Sequence, residues 1–161
     1  MTSPDLQDLR GARLDRRDQE ELLLTQSECT LVFTDEDGAP SGTVLSFAYD
    51  GDLLWLTSVQ GRVHVRAIQR DPSVGIVVSN AGTALPGRKM LSLRGVATLH
   101  TETEAAEPAL RKIAARLTPG AEEGFLHALR VPGRVAISFR PTRVVASHNS
   151  LRLAGDGRGG R

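Results

Sequence analysis

A strand, turn, helix and strand in the first half of the chain constrain the fold more than any other sequence feature. The apolar run Leu53–Ser58 ends in two hydroxyl residues and predicts a buried strand whose last residues reach a rim. Gly61 lets the backbone turn, and the apolar spacing becomes helical from Val63 to Ile68. Asp71-Pro72 ends that helix, because the residue before a proline avoids the helical conformation. The β-branched run Val74–Val78 then predicts a second strand.

Polar and basic residues gather where this helix begins. Thr57 and Ser58 precede the turn, and Arg62, His64 and Arg66 follow it. The first N–H groups of a helix have no partner within the helix, and the helix dipole is positive at that end. The sequence therefore predicts an anion site at this point. The alternative is that Arg62 and Arg66 are ordinary solvated residues.

The same segment resembles the cofactor-binding segment of the pyridoxamine 5′-phosphate oxidase-like split-barrel flavoproteins, which include the F420-dependent reductases. In that family a strand ends in Thr or Ser, a loop with glycine and basic residues follows, and the helix closes on Asp-Pro or Asn-Pro. Thr57-Ser58, Gly61-Arg62 and Asp71-Pro72 match this pattern. Two positions differ, because the family's phosphate-binding lysine falls on His64 and a frequent asparagine of the helix falls on Ala67.

The resemblance implies a fold, a cofactor and an assembly. The fold is a mainly β, six- to seven-stranded antiparallel split β-barrel with helices, and two copies form a homodimer that holds each cofactor in a groove between subunits. The implied cofactor is F420, with FMN as the alternative. The implied cofactor-binding residues are Thr57, Ser58, Arg62, Val63 and His64 near the phosphate and ribityl chain, the backbone of Thr43, Val44, Leu45 and Ser46 near the ring, and Arg88 and Lys89 from the other subunit.

No residue in the sequence stands out as a general acid or base, which favours hydride transfer over hydrolysis. The leading hypothesis is therefore an oxidoreductase that uses reduced F420 or FMN to reduce a small organic substrate, with the difficult chemistry supplied by the cofactor. Three alternatives stay open: a haem-binding or haem-degrading split barrel, a cofactor-binding protein without turnover, and a member without a ligand. His64 and Ala67 keep the last one open.

Short periodic segments predict the remaining elements. A helix capped by Asp15 or Asp18 precedes the barrel. Gly95 interrupts the large residues of a long strand, as happens where a barrel strand bends or where another backbone comes close. His100 and His127 are expected to be solvated. The predicted strands are Cys29–Thr34, Ser41–Ala48, Lys89–Thr101, Arg134–Phe139 and Thr142–Ser147, the later helices are Glu104–Leu117 and Glu122–Arg130, and the side chains expected inside the barrel are Trp55, Leu91, Leu93, Ile137 and Phe139.

Length and composition limit the domain count, the partners and the compartment. The 161 residues suit one domain, expected over residues 15–150, with a flexible arm at 1–14 and a disordered Gly- and Arg-rich tail at 151–161. A net charge of +1 argues against a nucleic-acid partner, and no apolar run is long enough to cross a membrane. Cys29 is the single cysteine, so a reducing cytoplasm is expected, and no metal site is predicted. Lys89 and Lys112 are the only lysines among 20 basic residues, which is typical of GC-rich bacteria such as actinobacteria.

Overall fold

The computed structural model describes residues 10–152, and within this range it contains six strands and four helices. The strands are β1 Glu28–Thr34, β2 Pro40–Tyr49, β3 Leu54–Val59, β4 Ser73–Ser79, β5 Lys89–His100 and β6 Arg134–Asn149. The helices are α1 Arg16–Thr25, α2 Val63–Arg70, α3 Thr103–Leu117 and α4 Glu122–Leu129. None of these helices is long and apolar enough to cross a membrane.

The six strands form a closed barrel in the order β1-β2-β3-β6-β5-β4, and β4 closes it against β1. Every neighbouring pair is antiparallel. Helix α2 carries the chain from β3 to β4, two strands that are not neighbours in the barrel. The predicted mainly β antiparallel barrel with a crossover helix is therefore confirmed.

The barrel wall is open between β2 and β3. Strand β2 pairs with β1 from Pro40 to Ser46 but with β3 only from Phe47 to Tyr49. Strand β3 pairs with β6 along its whole length, Leu54–Val59, and with β2 only over Leu54–Leu56. Backbone groups of residues 40–46 and 57–59 that face this opening therefore have no strand partner. This opening positions the site described below.

Alternation along the strands fills the barrel interior. Leu91 and Leu93 of β5 and Ile137 and Phe139 of β6 are buried, as predicted. Strand β3 buries Leu54 and Leu56, so the intervening residue Trp55 must face outward.

The prediction that Trp55 lies inside the barrel is wrong, because successive residues of a strand face opposite sides and Leu54 and Leu56 take the inner side. Trp55 is half-buried on the outer face, where it packs against Ala106 and Ala109 of α3. Its indole N–H donates to Asp50 Oδ2 at 2.7 Å. His100 is also less exposed than expected, because its ring lies against Trp55 and its Nε2 is 2.9 Å from Ser138 Oγ.

The two predicted terminal strands are one strand, β6. Its ladder with β5 continues through Arg140-Pro141, where Val96 pairs with Arg140 and Gly95 with Pro141. This ladder has two register irregularities, and the one between Arg94 and Gly95 lies beside Pro141, which has no N–H to donate.

The chain on either side of the barrel is packed where it is described. Ala12 and Leu14 are buried, and the Leu14 N–H donates to Ser147 Oγ at 3.0 Å. Arg152 pairs with two carboxylates at the start of α1. These contacts hold residues 12, 14 and 152 against the rest of the chain, and the predicted limits of the arm and of the tail stay a prediction. The remainder of both segments, residues 1–9 and 153–161, lies outside the described residues.

Gly95 provides a test of the barrel. A Cβ at this position would lie 2.1 Å from the Arg140 carbonyl oxygen and 2.7 Å from the Phe139 ring, so the predicted close approach of another backbone is confirmed. We expect Gly95→Ala to lower the free energy of unfolding in urea by at least about 2 kcal/mol. The matched control is Gly124→Ala in α4, where a Cβ meets nothing within 4 Å. It should raise stability by about 0.5–1 kcal/mol. A Gly95→Ala protein as stable as the parent would contradict the register of β5 and β6.

Candidate functional site

A cleft of about 570 Å³ lies in the opening between β2 and β3. The start of α2 and the first residue of β6 complete its walls. Its lining residues are Gly42, Thr43 and Leu45 of β2, Thr57, Ser58 and Val59 of β3, Arg62, Val63 and His64 at the start of α2, Phe33 of β1 and Arg134 of β6.

Most of the residues predicted to bind a cofactor lie together in this cleft. They are Thr43, Leu45, Thr57, Ser58, Arg62, Val63 and His64. Val44 and Ser46 are not among the lining residues, and the Val44 side chain is exposed. The expectation for Val44 and Ser46 concerned backbone groups, and their strand segment does lack a β3 partner on the side of the cleft. Their contact with a cofactor stays a prediction.

Arg88 and Lys89 lie elsewhere in the same chain. Lys89 begins β5 and pairs with the end of β6, whereas the end of β5 pairs with the start of β6, where Arg134 lies. Arg88 and Lys89 are therefore at the opposite end of the barrel from Arg134. The Lys89 side chain is buried, with Nζ 3.6 Å from a carboxylate oxygen of Glu21. A contribution of Arg88 and Lys89 to the cleft of a second subunit stays a prediction.

The backbone at the start of α2 is open to the cleft. Gly61 makes the turn from β3 with φ of +82°, a value that favours glycine. The first residue before the helix, Arg62, provides no side-chain cap. The first N–H groups of α2 are therefore free of a capping side chain, and the positive end of the helix dipole points toward the cleft.

His64 is buried and contacts a predicted site residue. It is only 8% exposed, and its Nε2 lies 2.6 Å from Ser58 Oγ. Burial lowers the pKa of His64, and the positive charge of Arg62 lowers this pKa further. His64 is therefore neutral at neutral pH and does not replace the family's lysine as a cation.

Arg134 supplies a cation that the sequence did not reveal. Its Nε donates to the Leu129 carbonyl at 2.7 Å, and its Nη1 lies 3.3 Å from the Ser58 carbonyl and 3.5 Å from Thr57 Oγ1. Burial lowers the pKa of Arg134, but a guanidinium stays protonated in proteins. A permanent positive charge therefore stands beside the Thr57 hydroxyl and the Ser58 carbonyl.

Two further residues of α2 do not face the cleft. Arg66 donates to the Gly61 carbonyl at 2.6 Å and lies 3.6 Å from Glu36, outside the lining of the cleft. Ala67, which stands where the family often has asparagine, is buried in the barrel core. Ala67 is therefore not part of the cleft lining.

The cleft joins a positive end to an apolar wall. Arg62 and Arg134 are permanent cations, and none of the described residues that line the cleft is acidic. Phe33, Leu45 and Val63 provide apolar surface in the same cleft. Such a lining suits a ligand that has an anionic group at one end and a flat apolar group at the other.

Comparison with solved structures gives the same fold in several proteins. A conserved hypothetical protein of Mycobacterium tuberculosis is 19% identical, with a TM-score of 0.75 over 89% of this chain and 90% of that one. A haem storage protein of Vibrio cholerae is 15% identical, with a TM-score of 0.68 over 86% and 98% of the two chains. A protein described as an F420 reductase is 27% identical, with a TM-score of 0.58 over 78% and 94%.

Comparison at the level of sequence identifies the family. A search of curated protein sequences finds no match. The family model for pyridoxamine 5′-phosphate oxidase matches residues 17–148, which include every residue that lines the cleft and all of the barrel strands except the last residue of β6. The chain therefore belongs to the pyridoxamine 5′-phosphate oxidase family of split-barrel proteins.

Proposed function

We propose that the chain is an oxidoreductase that binds F420 in the cleft between β2 and β3 and uses it to reduce a small organic substrate. The observation that carries this proposal is the cleft itself, which combines two arginines, three hydroxyl residues and open helix N–H groups with an apolar wall. FMN is the alternative cofactor, because it also has a phosphate that the arginines could bind and a flat ring that the apolar side chains could contact. The catalytic residues are not assigned.

The positive end of the cleft would hold the cofactor phosphate. Arg134 and Arg62 provide charge, and a guanidinium can grip two phosphate oxygens at once. Thr57 donates its hydroxyl to the Val135 carbonyl at 3.0 Å, so it is already engaged in the β3–β6 ladder. Ser58 is therefore the hydroxyl that is better placed to donate to a phosphate.

His64 would act through Ser58 rather than on the phosphate. A serine that donated its proton to Nε2 would present only lone pairs to an anion, so phosphate binding requires the tautomer with the proton on Nε2. The neutral His64 then donates to Ser58 Oγ, and the Ser58 hydroxyl donates to the phosphate. His64 is in this scheme a positioning residue.

The opposite end of the cleft would hold the ring. A bound deazaflavin or flavin supplies hydride chemistry that no side chain provides. The unpaired backbone groups of residues 43–46 would donate to or accept from polar atoms at the ring edge. Phe33 and Leu45 would pack on its apolar surface and exclude water.

The position of the cleft histidine favours F420 or FMN over haem. A haem in a protein needs an axial ligand such as a histidine nitrogen. The histidine that lines the cleft directs Nε2 at Ser58 Oγ, 2.6 Å away. The similarity to the F420 reductase supports F420 over FMN. An absorption spectrum of the purified protein separates these cofactors, since FMN, F420 and haem absorb at different wavelengths.

We also propose a homodimer in the cytoplasm. A groove on the outer face of the barrel is lined by small and apolar residues that include Val32, Gly75, Val77 and Val145, a surface suited to a second copy of the chain. Light scattering that shows a monomer at micromolar concentration would contradict the dimer.

The reduced state expected of Cys29 fits the cytoplasm, since burial raises the pKa of its thiol to about 12 and keeps it unreactive.

Cofactor titration tests the proposed function. We expect Arg134→Gln and Arg62→Gln each to weaken F420 binding about tenfold or more, because each removes a charge-assisted contact to the phosphate. Fluorescence titration of F420, and of FMN in parallel, measures this. The matched control is Arg70→Gln, which removes the same charge from the other end of α2, where Arg70 is exposed. Equal affinities for F420 in the parent and in all three variants would show that the cleft is not the cofactor site. No response to F420 or to FMN would favour a family member without a ligand.

The role of neutral His64 gives a pH prediction. The pKa of His64 is lowered in the folded state, so below the unfolded value of about 6.5 the unfolded chain binds the proton more readily. The stability that His64 contributes is thus fully present above about pH 6.5 and is lost as the pH falls through the folded pKa. His64→Gln, which retains a donor for Ser58 but does not titrate, should lose less stability between about pH 7.5 and about pH 5 in urea unfolding. The same loss in parent and variant would show that His64 does not titrate in this way.

A further inference from the structure

A serine and a histidine form a close pair in the cleft between β2 and β3. Ser58 Oγ lies 2.6 Å from His64 Nε2, and both residues line the cleft. His64 stands where the family has a phosphate-binding lysine. A protonated lysine amine has no lone pair, whereas a neutral imidazole can accept a proton from a serine hydroxyl. The replacement therefore gives this cleft a chemical property that a lysine would not provide.

The geometry of the pair suits proton transfer from Ser58 to His64. A distance of 2.6 Å is within the hydrogen-bond range that a nucleophile and its general base require. Burial lowers the pKa of His64 and keeps it neutral, so Nε2 has a lone pair whenever the proton is on Nδ1. The Phe33 ring packs near the imidazole, with 6.2 Å between the ring centroids. This tautomer is the opposite of the one that a bound phosphate requires, so the pair acts as nucleophile and base only when no phosphate is bound.

Other groups of the cleft suit the remainder of an acyl transfer. Arg62 is a permanent cation, and the first N–H groups of α2 have no capping side chain, so both can donate to a developing negative charge. Leu45 and Val63 offer apolar surface to an acyl or aryl group. None of the described lining residues is acidic, so no carboxylate of the cleft orients His64 as the aspartate of a catalytic triad does. The reaction is therefore expected to be slow and to need an activated substrate.

We propose that Ser58 and His64 give the cleft a second activity, the hydrolysis of small carboxylic esters. Ser58 Oγ attacks the ester carbonyl carbon and forms a bond to it, and the hydroxyl proton passes to His64 Nε2. The bond between the carbonyl carbon and the alcohol oxygen breaks, and the alcohol leaves with the proton from Nε2. Water then attacks the acyl group on Ser58 with His64 as the base, which releases the acid and restores the Ser58 hydroxyl.

Ester hydrolysis is independent of the proposed reduction, because water is its only co-reactant and no cofactor takes part. The two activities would nevertheless use the same cleft, since Ser58 is also the hydroxyl proposed to donate to the cofactor phosphate. Bound F420 is therefore expected to inhibit the hydrolysis.

The chain contains a matched control pair outside the cleft. His100 Nε2 lies 2.9 Å from Ser138 Oγ, but neither residue lines the cleft. Ser138 is as buried as Ser58, with exposed fractions of 8% and 7%. A difference in reactivity between the two serines therefore reports on the cleft and not on the serine–histidine contact alone.

The test is covalent labelling of the full chain with a small alkyl fluorophosphonate, which bonds to a serine oxygen and releases fluoride. Mass spectrometry of the peptides locates the adduct. We expect one adduct, on Ser58, and none on Ser138. His64→Gln should slow both this labelling and the hydrolysis of p-nitrophenyl acetate by about a hundredfold or more, because it removes the general base. His100→Gln should leave both rates unchanged.

Labelling of the parent chain needs no variant, so the test is decisive even if His64→Gln does not fold. The proposal is overturned if the reagent leaves Ser58 unmodified, if Ser58 and Ser138 react at the same rate, or if His64→Gln reacts as fast as the parent. None of these results would change the cofactor titrations with Arg134→Gln. Labelling of Ser58 that saturating F420 does not slow would support the ester hydrolysis and contradict the cleft as the cofactor site.

Discussion

The unequal pairing of β3 determines where the rest of the site lies. This strand is hydrogen-bonded to β6 from Leu54 to Val59 but to β2 only as far as Leu56. Full pairing with β6 brings Arg134 to the end of β3, beside Thr57 and Ser58. The early end of pairing with β2 leaves backbone groups on both strands open. A single feature of the hydrogen-bond ladder therefore creates the opening and brings a cation to it.

The groups around the opening form a connected polar system. Ser58 contacts His64 of α2, and its carbonyl lies near the guanidinium of Arg134. The turn at Gly61 places the start of α2 above these groups, and the Gln60 N–H holds this turn to the Gly133 carbonyl at 2.7 Å. These groups satisfy one another within the protein, so the site is ordered before a ligand binds. An anionic group of a cofactor would pair with Arg62 and Arg134, and the apolar residues Phe33, Leu45 and Val63 would contact its ring.

Local patterns in the sequence predicted the elements well, and tertiary placement accounts for what they missed. Turn residues and spacing were enough to place α2 and the strands around it. Successive residues of β3 face opposite sides of the barrel wall. Because the residues around Trp55 are all apolar, the sequence does not show which of them face inward. Arg134 is 76 residues from Ser58 along the chain, so only the β3–β6 register brings them together. The burial of His64 and of His148 likewise depends on packing that no local spacing encodes.

Amide chemical-shift mapping with F420 tests the central claim, that the opening between β2 and β3 holds the cofactor, most directly. Titration of ¹⁵N-labelled protein reports on every backbone N–H, including those of the open strand segments and of the first turn of α2. If the opening holds the cofactor, the largest shifts should cluster at residues 43–46, 57–59 and 62–64, with Arg134 included. Large shifts confined to other parts of the barrel, with these amides unchanged at saturating F420, would contradict it.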